Sequence, residues 1–234
     1  MARRTVAVVV AAVVVALLLS LGTWQLYRLS WKSGLIETME ARLAGEPMAL
    51  GDALLLPAGE QEWTPVVAEG RFMPRNFALY RIKADSNPGY HILTPLLLDD
   101  GHYVLVNRGA LRADSFKLAL EAVSSAPDEV VTVTGVMRPG ETPTLFTNDN
   151  DPAGEAWYWI DLDAAGETAG VALLPVVIHA DEDPTDAALE GGQARFDPPN
   201  RHLEYAITWY LLAGAAAVVA FLRLRRRDDN GDSA

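Results

Sequence analysis

Two long uncharged apolar runs stand near opposite ends of this chain, and each has arginine on its outer side. The first, Thr5 to Tyr27, follows Arg3 and Arg4. The second, Tyr205 to Leu222, precedes Arg223, Arg225, Arg226 and Arg227. A helix of about 20 apolar residues crosses a hydrocarbon core of about 30 Å, so both runs suit membrane helices. The expected spans are residues 5–29 and 203–222, with a tail over 223–234. A signal peptide cleaved after Ser20-Leu21-Gly22 is the alternative for the first. That run is longer than a usual signal core, so an uncleaved helix is preferred. Basic flanks at both ends place both termini in the cytoplasm by the positive-inside rule. Residues 30–199 then form an extracytoplasmic domain, periplasmic in a bacterial inner membrane.

Charge and side-chain chemistry narrow what that domain does. The formal net charge is −12, and the acids lie mostly between the runs. Such a surface does not suit nucleic acid, which needs clustered Lys and Arg. The absence of cysteine removes disulfides, thiolate nucleophiles and cysteine-held metals. The pattern from Glu62 to Val136 is strand-like. Trp63 to Ala68, Phe77 to Lys83, Tyr90 to Leu98 and Tyr103 to Asn107 carry apolar or alternating residues, and Asp99-Asp100-Gly101 is a hairpin turn. Ser86-Asn87-Pro88-Gly89 is another turn signal. Helices are predicted over 113–124 and 162–169, and strands over Val130 to Met137 and Pro175 to His179. Pro198-Pro199 stiffens the approach to the second run. The fold class is therefore α+β: two transmembrane helices flanking one mostly antiparallel β domain.

The four histidines lack metal-ligand spacing, and His91 and His179 sit in strands where a structural role is expected. Neither a nucleophile elbow nor a phosphate-binding loop is present, so the chain does not read as an enzyme. The polar run Asn148-Asp149-Asn150-Asp151 does not match a calcium loop and reads as a turn. His202 differs by its place at the start of the second membrane run. On a 3.6-residue period His202, Tyr205, Ala206 and Trp209 share one helix face. Trp24, Arg28 and Lys32 repeat at i, i+4 and i+8 on the first helix. An imidazole beside aromatic rings at a bilayer edge suits a haem site, with Arg28 and Lys32 placed for propionates. The same residues suit an interfacial anchor with snorkelling cations, and spacing leaves both readings open.

Six motifs, in order, carry a family resemblance. They are Gly22-x-Trp24-Gln25-x-x-Arg28; Gly89-Tyr90-His91 leading to Thr94-Pro95; Val106-Asn107-Arg108-Gly109; Phe146-Thr147 with Asp149-Asn150-Asp151-Pro152; Trp157-Tyr158-Trp159-Ile160-Asp161; and Asn200-x-His202-Leu203-x-Tyr205-Ala206-x-Thr208-Trp209-Tyr210. From Gly22 to Ala213 the chain resembles the Surfeit locus protein 1 family of cytochrome c oxidase assembly factors. The resemblance implies a non-enzymatic role in maturing subunit I of a haem-copper oxidase. It also implies transient binding of haem a received from haem A synthase, with His202 as the axial ligand. Trp24, Arg28, Lys32, Tyr205 and Trp209 would surround the cofactor. A cofactor-free scaffold holding oxidase subunits is the alternative. Two positions depart from the family pattern: Ala110, where tryptophan is frequent, and Asn148, where proline occurs.

Overall fold

A computed structural model describes residues 2–82, 88–111, 116–122, 129–186, 188–192 and 200–229. The expected turn at Ser86-Asn87, the ends of the helix over 113–124, and Pro198-Pro199 lie outside the described residues. The chain divides into two compact units, one of residues 1–38 with 197–234 and the other of residues 39–196.

The first unit holds two helices, each long and apolar enough to cross a membrane. Helix α1 runs unbroken from Ala2 to Leu43. The stretch from Leu35 to Leu43 continues the same helix, with Gly45 and Pro47 just beyond its end. At about 1.5 Å per residue α1 is about 63 Å long, roughly twice a hydrocarbon core. Helix α6 (His202–Asp229) returns beside it. Between Ala11 and Lys32 the less exposed residues of α1 are Ala11, Val15, Leu18, Gly22, Gln25, Leu29 and Lys32; those of α6 include His202, Ala206, Trp209, Ala213, Ala216 and Ala220. Both sets advance by alternating threes and fours, the spacing of a left-handed helix pair. Small residues bring the backbones close: Ala206 and Ala213 are buried, and a Cβ on Gly22 would lie 2.9 Å from the Tyr210 ring.

The second unit is a seven-stranded mixed sheet. Its elements are β1 (Met48–Ala49), α2 (Leu50–Ala53), α3 (Ala58–Gln61), β2 (Thr64–Phe72), β3 (Phe77–Ile82), β4 (Pro88–Leu98), β5 (Tyr103–Leu111), α4 (Phe116–Ala122), β6 (Val131–Pro139), α5 (Leu162–Ala169) and β7 (Leu173–Ala180). The order is β1-β2-β6-β7-β5-β4-β3, with a further β2–β4 pairing that closes five strands into a ring. Closure runs through Gly70↔Leu98, Arg71↔Leu97 and Phe72↔Leu96. Gly70 permits it, because a Cβ there would stand 2.3 Å from the Leu97 carbonyl oxygen. Most pairings are antiparallel, as expected, but β5 and β7 run parallel, as do the short β1 and β2.

Strands β5 and β7 are covered on both faces, which explains their continuous apolar runs. Val104, Val106 and Ile178 join the interior cluster with Val66, Phe72 and Leu96. Leu105 and Val177 turn the other way, toward Trp157, Ile160 and Ala165 under α5. Trp157 meets Phe77 edge-on at 5.0 Å. The motif ending in Asp161 starts α5: the Asp161 carboxylate accepts from the Ala164 amide at 3.0 Å, an N-cap.

Candidate functional site at the helix seam

His202 opens α6, where the first turn leaves backbone donors unpaired and the chain enters its apolar run. Its ring lies in the seam because position 202 belongs to the same stripe as Ala206 and Ala213. There Nδ1 lies 2.7 Å from Oε1 of Gln25 on α1. Around this contact Thr23 Oγ1 and the Tyr210 hydroxyl pair at 3.0 Å, and Asn200 Nδ2 donates to Ser33 Oγ at 3.2 Å. The polar bonds between the helices thus gather where α6 begins. Nε2 of His202 has no hydrogen-bond partner among the described residues.

The other residues singled out from sequence divide between seam and surface. Trp209 is half-buried in the seam, one position from Tyr210. Trp24 is 56% exposed and lines a shallow groove with Leu19, Ser20, Thr23 and Tyr27, all from α1. Tyr205 is equally exposed. The Arg28 guanidinium stacks over the Trp31 ring at 3.9 Å, a cation–π contact. Lys32 is half-buried on the seam side of α1. Gln25 is the residue that spacing arguments missed. It sits in the same motif as Trp24, but only the packing of α6 shows which of its neighbours it serves. A separate apolar groove lies between the helices nearer the N-terminus of α1, lined by Val10, Val14, Leu212 and Val219 among others.

The β domain has a polar cluster of another kind. Asn107, read from sequence as a strand-end residue, lies within β5 and is buried. Its Nδ2 donates to Nδ1 of His91 and to Nδ1 of His179, each at 3.1 Å, and its Oδ1 accepts from the Gly109 amide at 3.2 Å. Both histidines accept at Nδ1, so each ring carries its proton on Nε2. Burial, then the nearby positive charge of Arg138, pushes the His179 pKa down to about 3. Next to Asn107, Arg108 is fully buried and donates to Asp183 through Nε at 2.6 Å and to Thr185 Oγ1 at 2.7 Å. Burial opposes ionisation of Asp183, but Arg108 and Thr185 more than offset it and hold the carboxyl below its ordinary range. These residues tie the 181–186 segment to β5. Among the described residues no three His, Asp or Glu side chains gather as a metal site. The polar run leads into a turn over 152–155: Asn150 Oδ1 accepts from the Tyr158 amide at 2.8 Å, and Asp151 Oδ1 from the Gly154 amide at 3.0 Å.

The chain belongs to the SURF1 family, whose model matches residues 12–214. Among its relatives, the SURF1-like protein of Monosiga brevicollis is 34% identical, the match covering 90% of this chain and 84% of that one. Surfeit locus protein 1 of Xenopus tropicalis is 33% identical over 84% of this chain and 68% of its own. The Homo sapiens protein is 31% identical over 88% and 73%.

Proposed function

We propose that this protein is an extracytoplasmically facing membrane factor for assembly of a haem-copper (cytochrome c) oxidase, and that it holds haem a through His202 on its way from haem A synthase to subunit I. Family membership supports the assembly role. The observation that carries the cofactor reading is the Nε2 atom of His202, without a hydrogen-bond partner among the described residues at the start of a membrane-length helix. The residues present fit such a group: His202 would hold its iron through the imidazole Nε2. Haem a, when bound, supplies an iron that accepts that lone pair. Arg28 and Lys32 would neutralise the propionates, while Trp24, Tyr205 and Trp209 give rings and apolar surface to the macrocycle. One protein ligand at an open edge suits a carrier, which must also release its cargo. Both termini lie in the cytoplasm and the β domain in the periplasm on this reading.

One observation favours the cofactor-free scaffold instead. The His202–Gln25 bond joins two helices, and a polar bond in lipid is a recognised means of helix association. The test is the absorption spectrum of detergent-purified protein co-expressed with haem A synthase, wild type beside His202→Ala. Stoichiometric haem a that disappears in a still-folded variant is the expected result. Colourless wild-type protein from membranes rich in haem a would favour the scaffold.

A further inference from the structure

We infer that Gln25 is a positioning residue for His202: its side-chain oxygen accepts a hydrogen bond from the Nδ1–H of the imidazole, fixing the tautomer that leaves the Nε2 lone pair for an electrophilic ligand. The significance of that lone pair for haem rests on the function proposed above; the tautomer itself does not.

A neutral imidazole has one N–H and one lone pair, and the hydrogen bond at one nitrogen decides which nitrogen is left to coordinate. Gln25 presents Oε1, an acceptor without a proton, 2.7 Å from Nδ1. Nδ1 must therefore donate, and Nε2 is left with its lone pair. The opposite arrangement occurs in the same chain. His91 and His179 meet the amide nitrogen of Asn107, accept at Nδ1 and carry the proton on Nε2. Two amide side chains thus set two tautomers, one that leaves Nε2 free to coordinate and one that does not.

Gln25 is well placed to do this. It stands three residues from Gly22, against which the Tyr210 ring packs, so close approach of the helices fixes its backbone relative to α6. The alternation of threes and fours puts both residues in one seam. A carbonyl oxygen hydrogen-bonded to the second nitrogen of a ligating histidine orients the ring and raises its basicity. Gln25 would act on affinity through His202, without touching the ligand.

The test uses the full-length protein in detergent, without haem, labelled with 15N-histidine and held at pH 8. Signals absent from His202→Ala identify His202. Expected for wild type is a protonated Nδ1 and an unprotonated Nε2, the reverse of the His179 pattern. In Gln25→Leu, which removes the acceptor, His202 should move toward the Nε2-protonated form. Gln25→Glu keeps an acceptor and should restore Nδ1 protonation. Hemin titration is the second readout: affinity should fall about 10- to 100-fold in Gln25→Leu and return in Gln25→Glu. A wild-type His202 protonated on Nε2, or a tautomer unmoved by Gln25→Leu, would overturn the inference. So would an unchanged hemin affinity alongside the expected tautomer shift, since Gln25 would then not position a ligand. Wild-type protein with the expected tautomer that binds neither hemin nor co-expressed haem a would instead defeat the haem reading, leaving Gln25–His202 as an interhelical bond.

Discussion

The histidines of the two units are held in opposite senses. In the β domain, Asn107 donates hydrogen bonds to His91 and His179, and burial keeps His179 neutral. In the helix pair, Gln25 faces His202 with an oxygen, and the ring is only half-buried. The first arrangement uses imidazole as an internal acceptor and leaves little of it for outside chemistry. The second keeps one nitrogen in reserve. Residue type alone does not separate the two; the atom each amide presents, and the degree of burial, do.

The largest expected effect separates the units outright. If His202 holds haem a as proposed, His202→Ala should abolish bound haem a, while denaturant unfolding of the β domain should be unchanged. Next comes the buried ion pair. Asp183→Asn strips the charge from the partner of a fully buried Arg108 and should cost about 3–5 kcal/mol of β-domain stability, read from urea unfolding, with haem content of the surviving folded protein unaltered. If it also strips haem, the two units are not independent. The pH dependence is smaller per step. The folded His179 pKa, about 3, lies below the ordinary histidine value, so between about pH 6.5 and 3 the unfolded chain takes up a proton that the folded chain refuses. Stability is therefore fully present above about pH 6.5 and declines by about 1.4 kcal/mol per pH unit as pH falls. His179→Gln should flatten that slope in a series of unfolding curves. Tyr210→Phe removes the bond to Thr23 and should weaken helix association by about 0.6 kcal/mol, seen as a slight loss in thermal stability of the helix signal. Leu145 and Phe146, almost fully exposed at the centre of the turn closed by Thr144 and Thr147, give the smallest effect. Their replacement by serine should shift stability by no more than about 0.5 kcal/mol.

Local signals were legible, and contacts across long sequence separations were not. The Asp99–Gly101 hairpin, the helix over 162–169 and the paired apolar runs each announce themselves within a few residues. Closure of the ring through β2 and β4, and the parallel seating of β7 on β5, depend on strands that do not follow one another in sequence. Their apolar alternation fits several neighbours equally well. Asn107 read as a strand-end residue because its two histidine partners come from strands 16 and 72 residues away. The candidate site divides along the same line. His202 stood out by its place at the helix start, whereas Gln25 lies 177 residues from it and gains meaning only from the seam.

Ring closure through Gly70 also bears on the company this protein keeps. An open sheet presents a row of unsatisfied amides and carbonyls that templates the addition of foreign strands. Here β1 is two residues long, and the outer side of β3 is met at Leu79 by a bridge to Trp157. A factor proposed to work beside unassembled, partly folded subunits would be exposed to such strands continually. Its β domain offers them little to cross-pair with, so attachment to a client would have to come through side-chain contacts, which are readily reversed.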